Sequence, residues 1–298
     1  MTTLKTAYQT DVQSKTIKKF IIGDTMTETN IQGFAFGENW KNFLGILSDE
    51  HIQEAEKALS AFLGTTDLVG KRFLDIGSGS GLHSLAAHRM GAIVHSFDYD
   101  PQSVACTEEV KRRYASKQSQ WTIEQGSILN ESYIKGLGKF DISYAWGVLH
   151  HTGALWQALH NAQLPVRQGG LLFVAIYNDQ GFISKFWKTV KRTYCSGPLG
   201  RALMSLIFYP IFFLAGLAID LVHFRNPVIR YREHKKYRGM SLVHDWRDWL
   251  GGYPFEPAQS EKIISFYKNL GFELVRFELT GHGFGNNQFL FRRVSTPS

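Results

Sequence analysis

The stretch Phe73-Leu74-Asp75-Ile76-Gly77-Ser78-Gly79-Ser80-Gly81 constrains this chain more than any other. A short apolar run leads into three glycines at alternate positions, and a helical pattern opens at Leu82. Glycines so spaced let the main chain turn tightly and approach a ligand without a Cβ in the way. A strand that feeds a helix through such a turn is the unit of an alternating α/β sheet. In open sheets of that kind, ligands gather at the carboxyl ends of the strands.

The rest of the chain repeats the unit. Strands are expected at Arg72 to Ile76, Ile93 to Asp98, Trp121 to Gln125, Phe140 to Ala145 and Leu171 to Tyr177, with two closing strands at Phe272 to Leu279 and Gln288 to Arg292. Between them lie helical patterns from Leu82 to Met90, Ala154 to Leu164 and Pro257 to Leu270. Asp100-Pro101 supplies an N-cap and a proline at the first helical position, and Gly169-Gly170 is expected to link a helix to strand five. Before the sheet, Ser48 caps a helix that ends at Gly64. The pattern predicts a mostly parallel, doubly wound sheet covered on both faces. It divides into an N-terminal arm and helical cap (1–66), core strands one to five (67–178), an insertion (179–256) and a C-terminal return to the core (257–298).

Charge separates the insertion from the rest. Of the net +7, the segment Gly181 to Met240 carries eleven basic residues against Asp220 and Glu233, which leaves the remaining chain at −2. A basic surface confined to one segment points to one local anionic partner and argues against a nucleic-acid-coated surface. The two cysteines, Cys106 and Cys195, form no disulfide framework and no metal-ligand spacing. They fit a reducing, cytoplasmic setting, no targeting signal is seen, and no metal is expected.

Asp75 stands two residues before the first glycine, and Leu82 holds the place of the third glycine of a dinucleotide fingerprint. An acidic turn suits S-adenosylmethionine, which bears a cationic amino group and sulfonium and no phosphate. Phe73 to Gly81, Asp98, Gly126-Ser127 and Phe140-Asp141 resemble the successive motifs of class I S-adenosylmethionine-dependent methyltransferases. Trp146-Gly147-Val148-Leu149-His150-His151-Thr152 is similar to the branch containing the quinone-biosynthesis O-methyltransferases. The resemblance spans roughly Phe34 to Tyr177 and the last two strands. It implies a Rossmann-like seven-stranded sheet with an antiparallel last strand, and methyl transfer by direct displacement. Donor contacts are then expected from Asp75, Gly77, Ser78, Gly79, Gly81, Asp98, Tyr99, Ser127, Ile128 and Trp146. The stretch Phe36 to Trp40 has two readings, a lid that brings Trp40 over the donor or an aromatic helix packed into the core. Ser127 departs from the pattern, because many relatives carry Asp there.

Displacement at a methyl group depends on positioning, and a base is needed only for a weakly acidic hydroxyl. His150 and His151 are the candidate bases, His150 slightly preferred, with purely structural roles as the alternative. The Ala145-Trp146-Gly147-Val148 loop lacks the Asn/Asp-Pro-Pro-Tyr/Phe pattern of amino-group methyltransferases. Tyr177, Asn178, His244, Asn286 and Asn287 are candidate substrate contacts. Eighteen uncharged residues, Ala202 to Ile219, leave three alternatives open: an interfacial helix on anionic lipid, a lid or dimer surface, or a membrane span. Pro210 and Gly216 are expected to break or kink that run. The acceptor is expected to be a small or lipid-linked molecule bearing an oxygen or activated carbon. The competing readings are a glycan or natural-product hydroxyl, and a non-catalytic donor-binding protein.

Overall fold

The computed structural model describes residues 44–45, 47–116, 118–224, 226, 242–281 and 285–294. The arm, the Phe36 to Trp40 stretch and Trp40 itself lie outside these residues. Helix α1 (Asp49–Leu63) starts where Ser48 and His51 cap each other and stops at Gly64, whose φ of 73° admits the turn. Its buried residues Ile52, Ala55, Leu59, Phe62 and Leu63 recur at helical spacing and pack toward α2 (Leu82–Arg89).

The sheet comprises β1 (Arg72–Ile76), β2 (Ile93–Asp98), β3 (Trp121–Gln125), β4 (Phe140–Trp146), β5 (Val166–Tyr177), β6 (Phe272–Glu278) and β7 (Asn286–Arg293). Its order is β3-β2-β1-β4-β5-β7-β6. The first five strands are parallel, and β7 is antiparallel to both neighbours. The order reverses between β1 and β4, which places the crevice of an open sheet above their carboxyl ends. Successive strand residues serve opposite faces. Leu74 and Ile76 join the core under α5 (Leu155–Gln163) and α9 (Ser260–Asn269), whereas Phe73 joins the core under α1, α2 and α3 (Pro101–Tyr114).

Three local expectations are corrected, and one element is added. Gly169-Gly170 is a bulge inside β5, which begins at Val166: Phe140 pairs with Val166 but Ile142 with Leu171, so the extra residues loop out. Gly169 takes φ 72° there, and a Cβ on Gly170 would stand 3.0 Å from the Asp141 carbonyl. Helix α9 begins at Ser260, because Ala258 pairs its main chain with Tyr177 and Asp179 at the end of β5. A short helix α4 (Glu131–Gly136), capped by the Asn130 side chain, has too few residues to show a period. Finally, α7 (Pro198–Val222) runs unbroken through Pro210 and Gly216. A proline removes one N–H from the ladder, and the remaining turns hold.

Among the described residues, the insertion forms the helices α6 (Phe182–Cys195), α7 and α8 (Leu242–Gly251), which pack on one another. It has its own small core of Val190, Tyr194, Phe208 and Leu250, to which Trp187, Met204, Tyr209 and Phe212 add. Four residues separate the end of β5 from the start of α6, so the insertion hangs from the carboxyl edge of the sheet.

Candidate functional site

The glycine turn is stapled from the neighbouring strand. The N–H groups of Gly77 and Ser78 both donate to the Phe97 carbonyl, at 2.8 and 3.1 Å. The Asp98 carboxylate accepts Gly79 N–H through one oxygen and Asp100 N–H through the other, each at 2.9 Å. Gly77, Gly79 and Gly81 all take positive φ, of 71°, 55° and 78°. Gly77 also lacks room: a Cβ would lie 2.5 Å from a Val148 methyl group. The turn therefore requires glycine on two separate grounds.

Asp75 is 3% exposed. Its carboxylate accepts from Ser84 Oγ, which contacts Ser96 Oγ at 2.6 Å, and Ser96 Oγ accepts the Trp121 indole N–H at 2.8 Å. Burial pushes Asp75 up to about 7, Asp98 nearby adds to the rise, and the Ser84 bond opposes it. Asp98 is raised as well, chiefly by burial. Two strained carboxylates at the ends of adjacent strands, with no basic residue on the turn, suit a ligand offering a cation and hydroxyls. A pyrophosphate would be repelled.

The other expected donor contacts are arranged unevenly. Ser78 Oγ is bound to Thr107 Oγ1 at 2.9 Å, holding the turn onto α3. Tyr99 is 77% exposed, and Trp146, at 44%, lies beside His83 at the mouth of the crevice. Ser127 Oγ accepts Leu129 N–H at 3.2 Å. The Ile128 side chain packs in the core while its carbonyl accepts from Asn161 at 2.7 Å. Beside them, a Cβ on Gly126 would meet the Tyr133 ring at 2.4 Å, so that loop is shaped by close packing.

His150 and His151 occupy a one-turn helix, Leu149–His151, after β4. Their rings lie 4.5 Å apart, and both face Tyr177 at the end of β5. His150 is 1% exposed; its Nδ1 accepts Tyr177 N–H at 3.3 Å and its Nε2 is buried without a partner. The proton of the neutral ring therefore belongs on Nε2. His151 has the opposite arrangement: its Nδ1 donates to the Pro254 carbonyl at 2.6 Å, which leaves Nε2 as the basic nitrogen. Burial lowers His150 well below the usual range and takes His151 down to about 4.

The insertion reaches this pair through Lys191, a residue whose burial its sequence does not betray. Lys191 is 1% exposed, donates to the Trp249 carbonyl and lies over the Trp249 and Phe255 rings at 4.2 and 5.2 Å. Burial takes its ammonium down to about 7. Phe255 packs on Tyr177, and Glu256 N–H donates to the His150 carbonyl at 3.0 Å. Asn287 is tied to Thr280, Asn178 and Ser260, and Asn178 donates to Gly281, so both amides brace the edge of the sheet. Asn286 starts β7 opposite Tyr177. The His244 side chain lies outside the described residues. Ser84, Ser96, Thr107, Tyr133 and Lys191 had no motif to announce them; their roles come from tertiary proximity.

This sheet order with its glycine turn is the class I methyltransferase fold, and residues 74–172 match the family described as a methyltransferase domain. The chain is also similar to ubiquinone biosynthesis O-methyltransferases. The one from Brucella melitensis biotype 2 is 32% identical over 111 residues, 37% of this chain and 43% of the relative. The one from Methylocella silvestris is 34% identical over 111 residues, covering 37% and 41%. The chain thus spans less than half the length of the curated relatives it matches. Among solved structures, magnesium protoporphyrin IX methyltransferase from Synechocystis PCC 6803 superposes with a TM-score of 0.51 at 12% identity, over 86% of this chain and 94% of that one. The cyclase SpnF superposes with a TM-score of 0.50 at 12% identity, over 80% and 81%. Because a cyclase shares the fold, the chemistry resides in the site and not in the fold.

Proposed function

We propose that this chain is an S-adenosylmethionine-dependent methyltransferase acting on an oxygen, or an activated carbon, of a small or lipid-linked metabolite. The observation that carries this reading is the acidic glycine turn: Asp75 and Asp98 at the ends of β1 and β2, and Asp98 bound to the Gly79 N–H. S-adenosylmethionine held there supplies an electrophilic methyl group. Asp98 retains lone pairs for ribose hydroxyls, Asp75 supplies negative charge toward an amino group, and the Gly126-Ser127 loop borders the adenine side.

The acceptor belongs between the loop after β4 and the end of β5. His151, kept neutral by burial and oriented by the Pro254 carbonyl, accepts the proton that an acceptor hydroxyl loses. His150, with its proton on Nε2, donates a hydrogen bond to the acceptor. This reassigns the base from His150 to His151 on tautomer grounds. The basic, apolar insertion next to that edge favours an amphiphilic acceptor and a cytoplasmic enzyme working at a membrane surface.

The test is a transfer assay with methyl-labelled donor, purified protein and a cell extract, afterwards split into organic and aqueous phases. Label in the organic phase supports a lipid-like acceptor. Label confined to the aqueous phase moves the acceptor to a soluble metabolite or glycan. Donor binding without any transfer would refute the enzymatic reading.

A further inference from the structure

Helix α7 is built unlike any other helix described. It runs for 25 residues, its most apolar window has a mean hydropathy of 2.2, and 6% of that window is buried. Its inner face, with Met204, Phe208 and Phe212, packs on α6 and α8. Its outer face is bare: Leu199, Leu203, Leu206, Ile211 and Leu214 are between half and nine-tenths exposed. Phe182, Ile183 and Phe186 continue this bare surface along the first turns of α6. Beside them on α6 run Lys185, Lys188 and Arg192 at helical spacing, and Arg201 opens α7. An exposed apolar face of this extent needs a partner.

We propose that this α6–α7 face lies flat in the interfacial layer of an anionic bilayer. The rim of basic side chains matches anionic headgroups while the leucines and phenylalanines enter the acyl boundary. A second copy is a poorer occupant. A two-fold contact sets each patch against its own like, and the shared basic rim would repel itself. A membrane span is poorer still. Strands β6 and β7, downstream of α7, join the same sheet as β1 to β5, so the chain must stay on one side. The intervening residues 223–241 carry Arg225, Arg230, Arg232, Lys235, Lys236 and Arg238 and supply no apolar return segment.

The functional meaning of the face rests on the proposed methyl transfer. Phe182 is five residues beyond Tyr177, so a docked insertion sets the acceptor edge of the sheet against the membrane surface. The partner deepens that reading from an amphiphilic acceptor to one drawn from a lipid leaflet.

Vesicle flotation of the full chain tests it, using phosphatidylcholine alone and phosphatidylcholine mixed with phosphatidylglycerol, at low and high salt. The protein is expected to float with the anionic vesicles, to be released by alkaline carbonate, and to bind less at high salt. Leu206→Glu with Leu214→Glu, and separately Lys185→Glu with Arg192→Glu, should each lower the bound fraction roughly tenfold or more. S-adenosylhomocysteine affinity should stay unchanged in both variants, which shows that they are folded. Equal binding to both vesicle types, or retention through carbonate, would overturn the proposal. So would failure to float together with dimers that the Leu206→Glu, Leu214→Glu variant abolishes. A wild-type protein that floats but neither binds S-adenosylhomocysteine nor transfers methyl leaves the docking intact and removes the enzymatic reading instead.

Discussion

Donor binding should be linked to a proton through Asp75. In the folded protein, burial raises this carboxyl to about 7, against an ordinary value of 3.8. At pH 6, most molecules therefore carry a neutral Asp75. An amino group placed beside it favours the ionised form, so binding must expel the proton. Affinity for S-adenosylhomocysteine should then fall about tenfold for each pH unit below 7, close to 1.4 kcal/mol per unit. Between pH 7 and pH 5 the loss approaches about a hundredfold, and above pH 7 the affinity levels off.

Isothermal titration calorimetry at several pH values, in buffers of different ionisation enthalpy, measures both the affinity and the protons released. Asp75→Asn should flatten the profile and eliminate most of the release, because Asp98 is then the remaining raised carboxyl at the site. Stability of the free protein follows the same linkage with its own sign. The folded state binds more protons than the unfolded state between about 4 and 7, so unfolding free energy declines as pH rises through that window and then levels off. A wild-type affinity that is flat from pH 5 to 8, with no proton release, would refute the placement of the donor's amino group beside Asp75.

Four further outcomes are expected. Asp98→Ala should weaken S-adenosylhomocysteine binding by about 1.5–3 kcal/mol, read by calorimetry, and lower the melting temperature because two main-chain N–H groups lose their acceptor. Gly77→Ala should abolish donor binding, since its Cβ meets Val148; adding Val148→Ala should restore a weakened site, with about 1–2 kcal/mol of backbone strain remaining. Lys191→Met should flatten the stability profile above pH 7. The wild-type amine is charged more readily unfolded than folded, so wild-type stability rises between about 7 and 10.5, and denaturant titrations across that range show whether it does. For hydroxyl acceptors, His151→Gln should lower kcat roughly a hundredfold or more, the loss expected for a general base. His150→Gln should act mainly on KM, and steady-state kinetics of both variants separates the roles.

Strand and helix limits were legible wherever a cap or a glycine marks them. Ser48, Gly64 and Asp100 bound their helices, and the sequence pattern matches Ile93–Asp98 and Trp121–Gln125 to the residue. The errors fall where tertiary pairing overrides local pattern. The Gly169-Gly170 pair looks like a linker, but the Phe140–Val166 pairing keeps the strand alive on both sides of it. Pro257 looks like a helix start, but pairing with the end of β5 holds Ala258 extended until Ser260. The acidic turn could be read directly because Asp75 and the glycines share one motif and Asp98 closes the next strand. The roles of the two histidines could not. Which ring nitrogen carries the proton depends on Tyr177 and Pro254, 27 and 103 residues away along the chain. Lys191 was counted among the basic residues of the insertion, and nothing in its neighbours distinguishes it from Lys188.

The row of hydrogen bonds from Trp121 to Asp75 has an optical consequence. An indole N–H can only donate, so Trp121 gives to Ser96, Ser96 can give to Ser84, and Ser84 gives to the carboxylate. Three small dipoles are thereby aligned toward one charge, with a fluorophore at the far end. When Asp75 changes its ionisation, the field along that row changes, and the emission of Trp121 should shift with it. A buried tryptophan wired in this way is a natural gauge of donor occupancy. The difference between wild type and Trp121→Phe would isolate its signal from the other six tryptophans.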